Sequence, residues 1–566
     1  MAPTESDLRG PEWFRSVIFY ELSIRSFYDA NGDGIGDLQG VLEKLDYLAD
    51  LGVGAIWLLP FYVSPWNDDG YDISNHYEVD PRFGTLEDFD RLIEGAHGRG
   101  LRVIGDLVTN HVSSEHPWFQ AARRDRTSPY RSWFLWSDTG TQFSQARRIF
   151  PDYETSNWTF DAVAGQYYFH RFFSSQPDLN YDTPEVHAEM LKVARFWLAR
   201  GLDGFRCDAA PYLYKREGTK CQSLPETHQF WRDMRAAMDA EFPGTVLVSE
   251  ANQSVPETVA YFDHGLEFPM VLHFPIMPNF YLALAETNPQ RILHMVQATL
   301  PAAPPTGAWA YFLRNHDELS LEQVSEDERA LFFRYFPLPP NARVHNGVRR
   351  RLAPLLGGDD HSVVLLTGLM LALPGSPFLY YGDEIGMGDR MDLPDRDAVR
   401  TPMQWDSSPS AGFSSRPPEE LTRPLVTELA FGPKARNVAD QEVNTRSLLW
   451  RMRTLLRVRA AHASVFSSER FEGIDLGAAP VLGFWRPGGE YRILCLYNFS
   501  TEGQTGSLPV PESVWASPIE LLRGGGAAST VADHTFRYRL GPRAFSWTLF
   551  LTRAGRPGRG APGPTA

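Results

Sequence analysis

Cysteine is scarce in this sequence: Cys207, Cys221 and Cys495 are the only three among 566 residues. Three thiols exclude a disulfide framework. Long apolar runs are missing as well. No stretch approaches the roughly 20 residues of a membrane-spanning helix, which excludes a membrane partner of that kind. The opening MAPTESDLRG lacks the basic-then-apolar pattern of a secretory leader, and the expectation is a soluble protein of the reducing cytoplasm. Basic residues are in deficit, 54 Lys and Arg against 70 Asp and Glu, for a net charge of -16. That balance argues against nucleic acid and anionic lipid as partners. A glycine-rich phosphate loop is absent, and no Ser or Cys nucleophile has a matching base nearby in sequence, so no organic cofactor is expected.

What remains is an ordinary globular composition, 43% hydrophobic and 22% charged, in a chain long enough for several cores. Aromatics reach 13%, which suits core packing and also stacking on hydroxylated rings. Short apolar runs at 17–22, 55–60, 102–108, 204–208, 245–250, 272–276, 310–317 and 377–384 read as strands, continuous enough to be covered on both faces. Segments such as LEDFDRLIEGAHGRG and VHAEMLKVARFWLARG alternate with them and show helical periodicity with a Gly past the end. Eight strand–helix repeats predict an α/β protein, a (β/α)8 TIM barrel over 12–111 and 176–465. An insertion after the third strand, 112–175, is too long for a plain connection and predicts a lid subdomain. Residues 466–553 carry short strands between Gly and Pro turns and predict an antiparallel β-sandwich, with a disordered tail over 554–566.

The polar residues of the strands are not spread evenly. Asp106 and His111 close the third strand, Arg206 and Asp208 the fourth in GFRCD, Glu250 the fifth, and His316 with Asp317 the seventh. A lone Asp at a strand end is most often a cap or an ion pair. Barrel active sites, however, gather at the C-terminal strand ends, and so many reactive groups converging there favour chemistry. A retaining glycosidase needs two neighbouring carboxyl groups, one as nucleophile and one as acid/base. Asp208, held ionised by Arg206, fits the first role and Glu250 the second. Asp317 would stabilise the transition state, and His111 and His316 would bind sugar hydroxyls.

DLVTNH, GFRCDA, SEAN and RNHD, with QPDLN at 176–180, resemble the signature regions of the α-amylase family, glycoside hydrolase family 13. ETSNWTFD, PYLYKREGTKCQSLPETH, RNHDELSLE and DRDAVRTPMQW narrow the likeness to members that interconvert maltose and trehalose. The resemblance implies intramolecular glucosyl transfer with Asp208, Glu250 and Asp317 as catalytic residues, small sugars as partners, and some leakage to glucose. Asp72, His111, Gln176, Arg206 and His316 match family positions that grip the first glucose ring, and Arg147 and Glu318 match positions that close the pocket. An α-glucosidase or related hydrolase is the alternative, and a non-catalytic sugar-binding barrel a third. Homo-oligomeric assembly is left open.

DANGDGIGD at 29–37 has the oxygen spacing of a calcium loop. The resemblance implies Ca²⁺ or Mg²⁺ on Asp29, Asn31, Asp33, Asp37 and the Ile35 carbonyl. A second family site would use Asn110, Asp178 and the Tyr212 and Leu213 carbonyls, but Lys215 stands where a glutamate is needed. An ammonium has no lone pair to give, so that site is expected to be empty, shifted toward Glu217, or filled by the lysine itself. Two further departures lie nearer the sugar. SEANQSVPETV lacks the Trp usual soon after SEAN, and Asn67 replaces an Arg before DDGYD.

Overall fold

The computed structural model describes residues 10–336, 338–515 and 517–552; the tail expected over 554–566 lies outside them. Eight parallel strands close a barrel in chain order: β1 (Phe19–Leu22), β2 (Ala55–Leu58), β3 (Arg102–Val108), β4 (Gly204–Asp208), β5 (Val246–Ser249), β6 (Met270–Leu272), β7 (Ala308–Phe312) and β8 (Ser376–Tyr380). Every residue of these strands is buried except Arg102, as parallel strands covered by helices require. The expected TIM barrel is therefore present. Two strands differ from expectation. β6 stops at Leu272 because Pro275, inside the expected run, has no N–H for the ladder. β7 starts and ends earlier than expected, so Leu313–Asp317 lie beyond the strand's C-terminal end rather than in the sheet.

Helices between strands follow local signals. Leu86–His97 opens on a capping box, with the Thr85 side chain accepting from the Asp88 N–H and Asp88 reaching back, and buries Phe89, Leu92, Ile93 and Ala96. Pro184–Ala199 starts with Pro at its first position, where the missing N–H is harmless. Between β3 and β4 the chain leaves the barrel as a helix (Pro117–Arg124) and a three-stranded antiparallel sheet (Trp136–Ser137, Trp158–Asp161, Gln166–Phe169) that stands over the strand ends. Beyond the helix Leu448–Ala461, a five-stranded and a three-stranded antiparallel sheet face one another across Trp485, Leu494, Leu496, Leu508, Phe536 and Phe550. No helix among the described residues is long and apolar enough to cross a membrane.

Candidate active site

Register places the reactive groups. Asp106 on β3 pairs with Arg206 on β4, and Val108 with Asp208, so the guanidinium grows from the barrel interior toward the strand ends. Arg206, 1% exposed, holds three carboxylates: Nη1 lies 2.7 Å from Asp106 and 2.5 Å from Asp208, and Nη2 2.5 Å from Glu250. The Ala209 N–H donates to Glu250 Oε2 at 2.9 Å. Ala209 takes φ +52°, a left-handed conformation at the end of β4; such strain persists where surroundings enforce it, often at active sites. Burial pushes Asp208 up to about 7 against the pull of Arg206. It does the same for Glu250, also to about 7. At Asp317 burial again works against ionisation, but His316, Arg396 and Arg400 outweigh it and hold the carboxyl far below its usual range. The three carboxyl groups thus fall into two classes: a pair titrating near neutrality and a permanent anion.

His316 is fixed from below. Its Nδ1 sits 2.6 Å from Glu21 Oε1, on β1, and its Nε2 2.8 Å from the Tyr71 hydroxyl. Arg396 reaches Asp317 at 2.9 Å and Asp68 at 2.7 Å, and Arg400 reaches Asp317 at 3.1 Å. Asp68, Tyr71, Asp208, Glu250, His316, Asp317 and Arg396 line a cavity of about 110 Å³ together with His111, Phe150, Phe172 and Glu318, polar room enough for several waters.

Two expected sugar contacts are corrected. Asp72 is not on the cavity wall. Its carboxylate accepts from the Ser64 hydroxyl, the Asn67 N–H and side-chain amide and the Asp68 N–H, and is spent on shaping the loop. Asp68, four residues earlier, faces the cavity instead. Gln176 stands one layer behind, with Nε2 donating to Asp68 at 3.0 Å and lying 3.3 Å from His111 Nε2, so it positions those two residues. Arg206 likewise works through the carboxylates. Arg147 reaches the cavity from the lid and Glu318 also lines it; the ion pair of Arg147 is with Glu322 at 2.5 Å. Asp68, Tyr71, Glu322, Arg396 and Arg400 are functional candidates that the motif reading passed over. Both arginines lie inside DRDAVRTPMQW, four apart, which is the signal that could have found them.

The Asp29–Asp37 loop is closed by its own side chains. Asp29 accepts the Gly32, Asp33 and Gly34 N–H groups, Asn31 that of Asp33, Asp33 that of Ile35, and Asp37 those of Ala30, Asn31 and Gly40. Gly34 takes φ +92°, and a Cβ there would lie 2.6 Å from the Glu420 carbonyl. Asp29 and Asp37 are 4% and 3% exposed and have no ion-pair partner among the described residues, so the donor set fits a hard cation in charge and chemistry. No group of three or more His, Cys, Asp or Glu side chains among the described residues is already gathered for a metal. At the second position the Lys215 ammonium lies 2.6 Å from Asp178 and donates to Asn110 Oδ1 at 3.1 Å and to the Leu213 carbonyl at 3.2 Å. A cation built into the chain sits among the oxygens expected to hold calcium. No such contact joins it to the Tyr212 carbonyl.

A model of the α-amylase catalytic domain matches residues 22–333 and 341–468. The chain belongs to the α-amylase family. The trehalose synthase/amylase of Mycobacterium tuberculosis is 47% identical over 519 residues, 90% of this chain and 86% of that protein. The trehalose synthase of a Pimelobacter species is 43% identical over 562 residues, 97% of this chain and 98% of that one. The solved trehalulose synthase of Pseudomonas mesoacidophila is similar at a TM-score of 0.75 and 27% identity, over 96% of this chain and 99% of its own. Family members with this barrel therefore rearrange disaccharides as well as hydrolyse them.

Proposed function

We propose that this enzyme interconverts maltose and trehalose by moving a glucosyl unit within one bound disaccharide. The observation that carries the reading is the single guanidinium of Arg206 gripping both Asp208 and Glu250 inside a cavity capped by the lid. Two carboxyl groups on one guanidinium are close neighbours, which favours the roughly 5 Å spacing of retaining enzymes over the 6.5–9.5 Å of inverting ones. Both titrate near 7, so near neutral pH the pair carries about one proton, as a nucleophile and an acid working together require. Asp208 attacks the anomeric carbon, the glycosidic C–O bond breaks, and Glu250 gives its proton to the departing glucose. Asp317, kept ionised by Arg396 and Arg400, faces the positive charge that develops. The glucose turns in the closed cavity, Glu250 takes the proton from its anomeric hydroxyl, and that oxygen displaces Asp208. Configuration is retained.

Water competes for the same intermediate, and the Arg147–Glu322 pair is the barrier against it. Arg147 keeps 40% of its side chain exposed, which supports a second reading in which glucose release dominates. Incubating the enzyme with maltose, and separately with trehalose, while following both sugars and glucose by NMR decides between them. Interconversion in both directions with little glucose supports transfer, and glucose as the main product from maltose overturns it in favour of an α-glucosidase. A calcium or magnesium ion on the Asp29–Asp37 loop is part of this proposal as a brace of the first βα loop, supported by two buried carboxylates without a counter-charge. It takes no part in the transfer, and loss of thermal stability in chelator tests it. Three buried free thiols support a reducing compartment, the cytoplasm.

A further inference from the structure

A short turn joins the antiparallel strands Arg343–Val344 and Gly347–Val348, the second of which also pairs with Leu319–Ser320 just past Asp317. His345 opens that turn at φ +51°, a left-handed conformation that persists where surroundings enforce it. Its side chain is 2% exposed and stands between two carboxylates. Nδ1 lies 3.5 Å from Asp152 Oδ2 on the lid, and Nε2 lies 3.3 Å from Asp395 Oδ1. The His345 backbone N–H also donates to Asp152 Oδ2 at 2.6 Å. The ring packs on two lid aromatics, Phe150 and Tyr153, with centroids 4.7 and 5.7 Å away. Phe150 lines the active-site cavity, and the Arg396 guanidinium sits 4.7 Å from its ring. Asp395 in turn lies 3.3 Å from Arg396, which reaches Asp317. One imidazole thus meets the lid with one nitrogen and the support of Asp317 with the other.

A neutral imidazole donates from one nitrogen and offers a lone pair at the other. Between two carboxylates that lone pair would face an acceptor, whereas an imidazolium donates to both. The other titratable and charged groups around the ring and Asp395 are Glu318, Tyr153, Arg396 and Arg349, the last donating to the Asp395 carbonyl at 2.6 Å. Burial works against ionisation of Asp395, but Arg396, His345 and Arg400 outweigh it and hold the carboxyl below its usual range. We propose that His345 is a positioning residue: as an imidazolium it latches the lid shut by bridging Asp152 to Asp395, and so sets how much of the glucosyl-enzyme is lost to water. The latch rests on the transfer reading above and adds to it a device that holds the cavity closed.

The assay is the ratio of glucose to trehalose formed from maltose, followed by NMR from about pH 5.5 to about pH 8.5, the range in which histidine changes charge. Both products leave one glucosyl-enzyme with Glu250 as base, so the titration of Asp208 and Glu250 acts alike on both and cancels in the ratio. In the parent protein the ratio should rise about two- to fivefold toward the alkaline end, the worth of one partly exposed ion pair. His345→Asn suits the positive φ but cannot bridge the two carboxylates, and should show the alkaline ratio at every pH. Asp152→Asn changes a side chain that is 52% exposed, keeps an oxygen for the His345 N–H and loses the charge; it should flatten the profile in the same way. A parent ratio that does not move with pH, or variants that keep the parent's profile, overturns the latch. Glucose as the main product of the parent at every pH is the separate signature of a failed transfer reading, and takes the latch with it.

Discussion

Replacing Lys215 by glutamate tests whether an ammonium does the work of a metal ion. The Lys215 side chain is 2% exposed and its partner Asp178 fully buried. Removing one member of such a pair strands the other charge in the interior, at a cost of about 3–5 kcal/mol, a large share of a typical 5–15 kcal/mol of folding stability. Lys215→Glu strands Asp178 and adds a second carboxylate beside it, so in chelator the variant should lose at least that much. The same change gathers two carboxylates, the Asn110 amide oxygen and the Leu213 carbonyl, all hard oxygen ligands of the kind calcium prefers. Calcium at about 100 times its dissociation constant should return about 2.7 kcal/mol. The assay is thermal unfolding of the full chain in chelator and across a calcium series, each point compared with the parent protein. That comparison removes whatever calcium does at the Asp29–Asp37 loop. Lys215→Met is the control: it should lose stability like the glutamate variant and regain little. A glutamate variant as stable as the parent in chelator would refute the buried-pair reasoning. One that is destabilised but deaf to calcium would show that these oxygens are not disposed around the ammonium as a cation site.

Arg206→Gln removes the cation that holds Asp208 and Glu250 down, so the acid limb of the pH–kcat/KM profile should rise by about one to three pH units; an unmoved limb would mean the guanidinium only packs. Asp208→Asn should abolish turnover yet stabilise the fold at pH 8. The native carboxyl titrates near 7 and the unfolded one near 4, so the folded state binds more protons between these values and stability falls as pH rises through the window. The gain, about three pH units at about 1.4 kcal/mol each and so about 4 kcal/mol at most by pH 8, should be gone by pH 4, and an equal melting shift at both would contradict it. Arg147→Ala removes the Arg147–Glu322 barrier and should raise the glucose fraction from maltose several-fold by NMR, with kcat for maltose consumption largely kept; an unchanged glucose fraction would place the water barrier elsewhere.

The barrel was readable because buried parallel strands are continuous apolar runs, and the clustered carboxylates because they interrupt those runs at one end. The errors came where several identical residues compete within a few positions. DDGYD offers Asp68, Asp69 and Asp72, and nothing local says which faces the sugar. The choice is made at a distance: Arg396 and Gln176 turn Asp68 inward, Arg423 and Arg400 capture Asp69 at 2.6 and 3.3 Å, and Asn67 and Ser64 absorb Asp72. Glu322, which meets Arg147 from the lid, lies four residues beyond Glu318 with the short strand Leu319–Ser320 between them, and no motif marked it. The space of about 310 Å³ on the outer side of the Arg147–Glu322 pair had no sequence signature at all. Its walls come from positions 145, 147, 220, 222, 252–254, 257 and 322–323, and scattered glutamines read as ordinary surface until the lid brings them together.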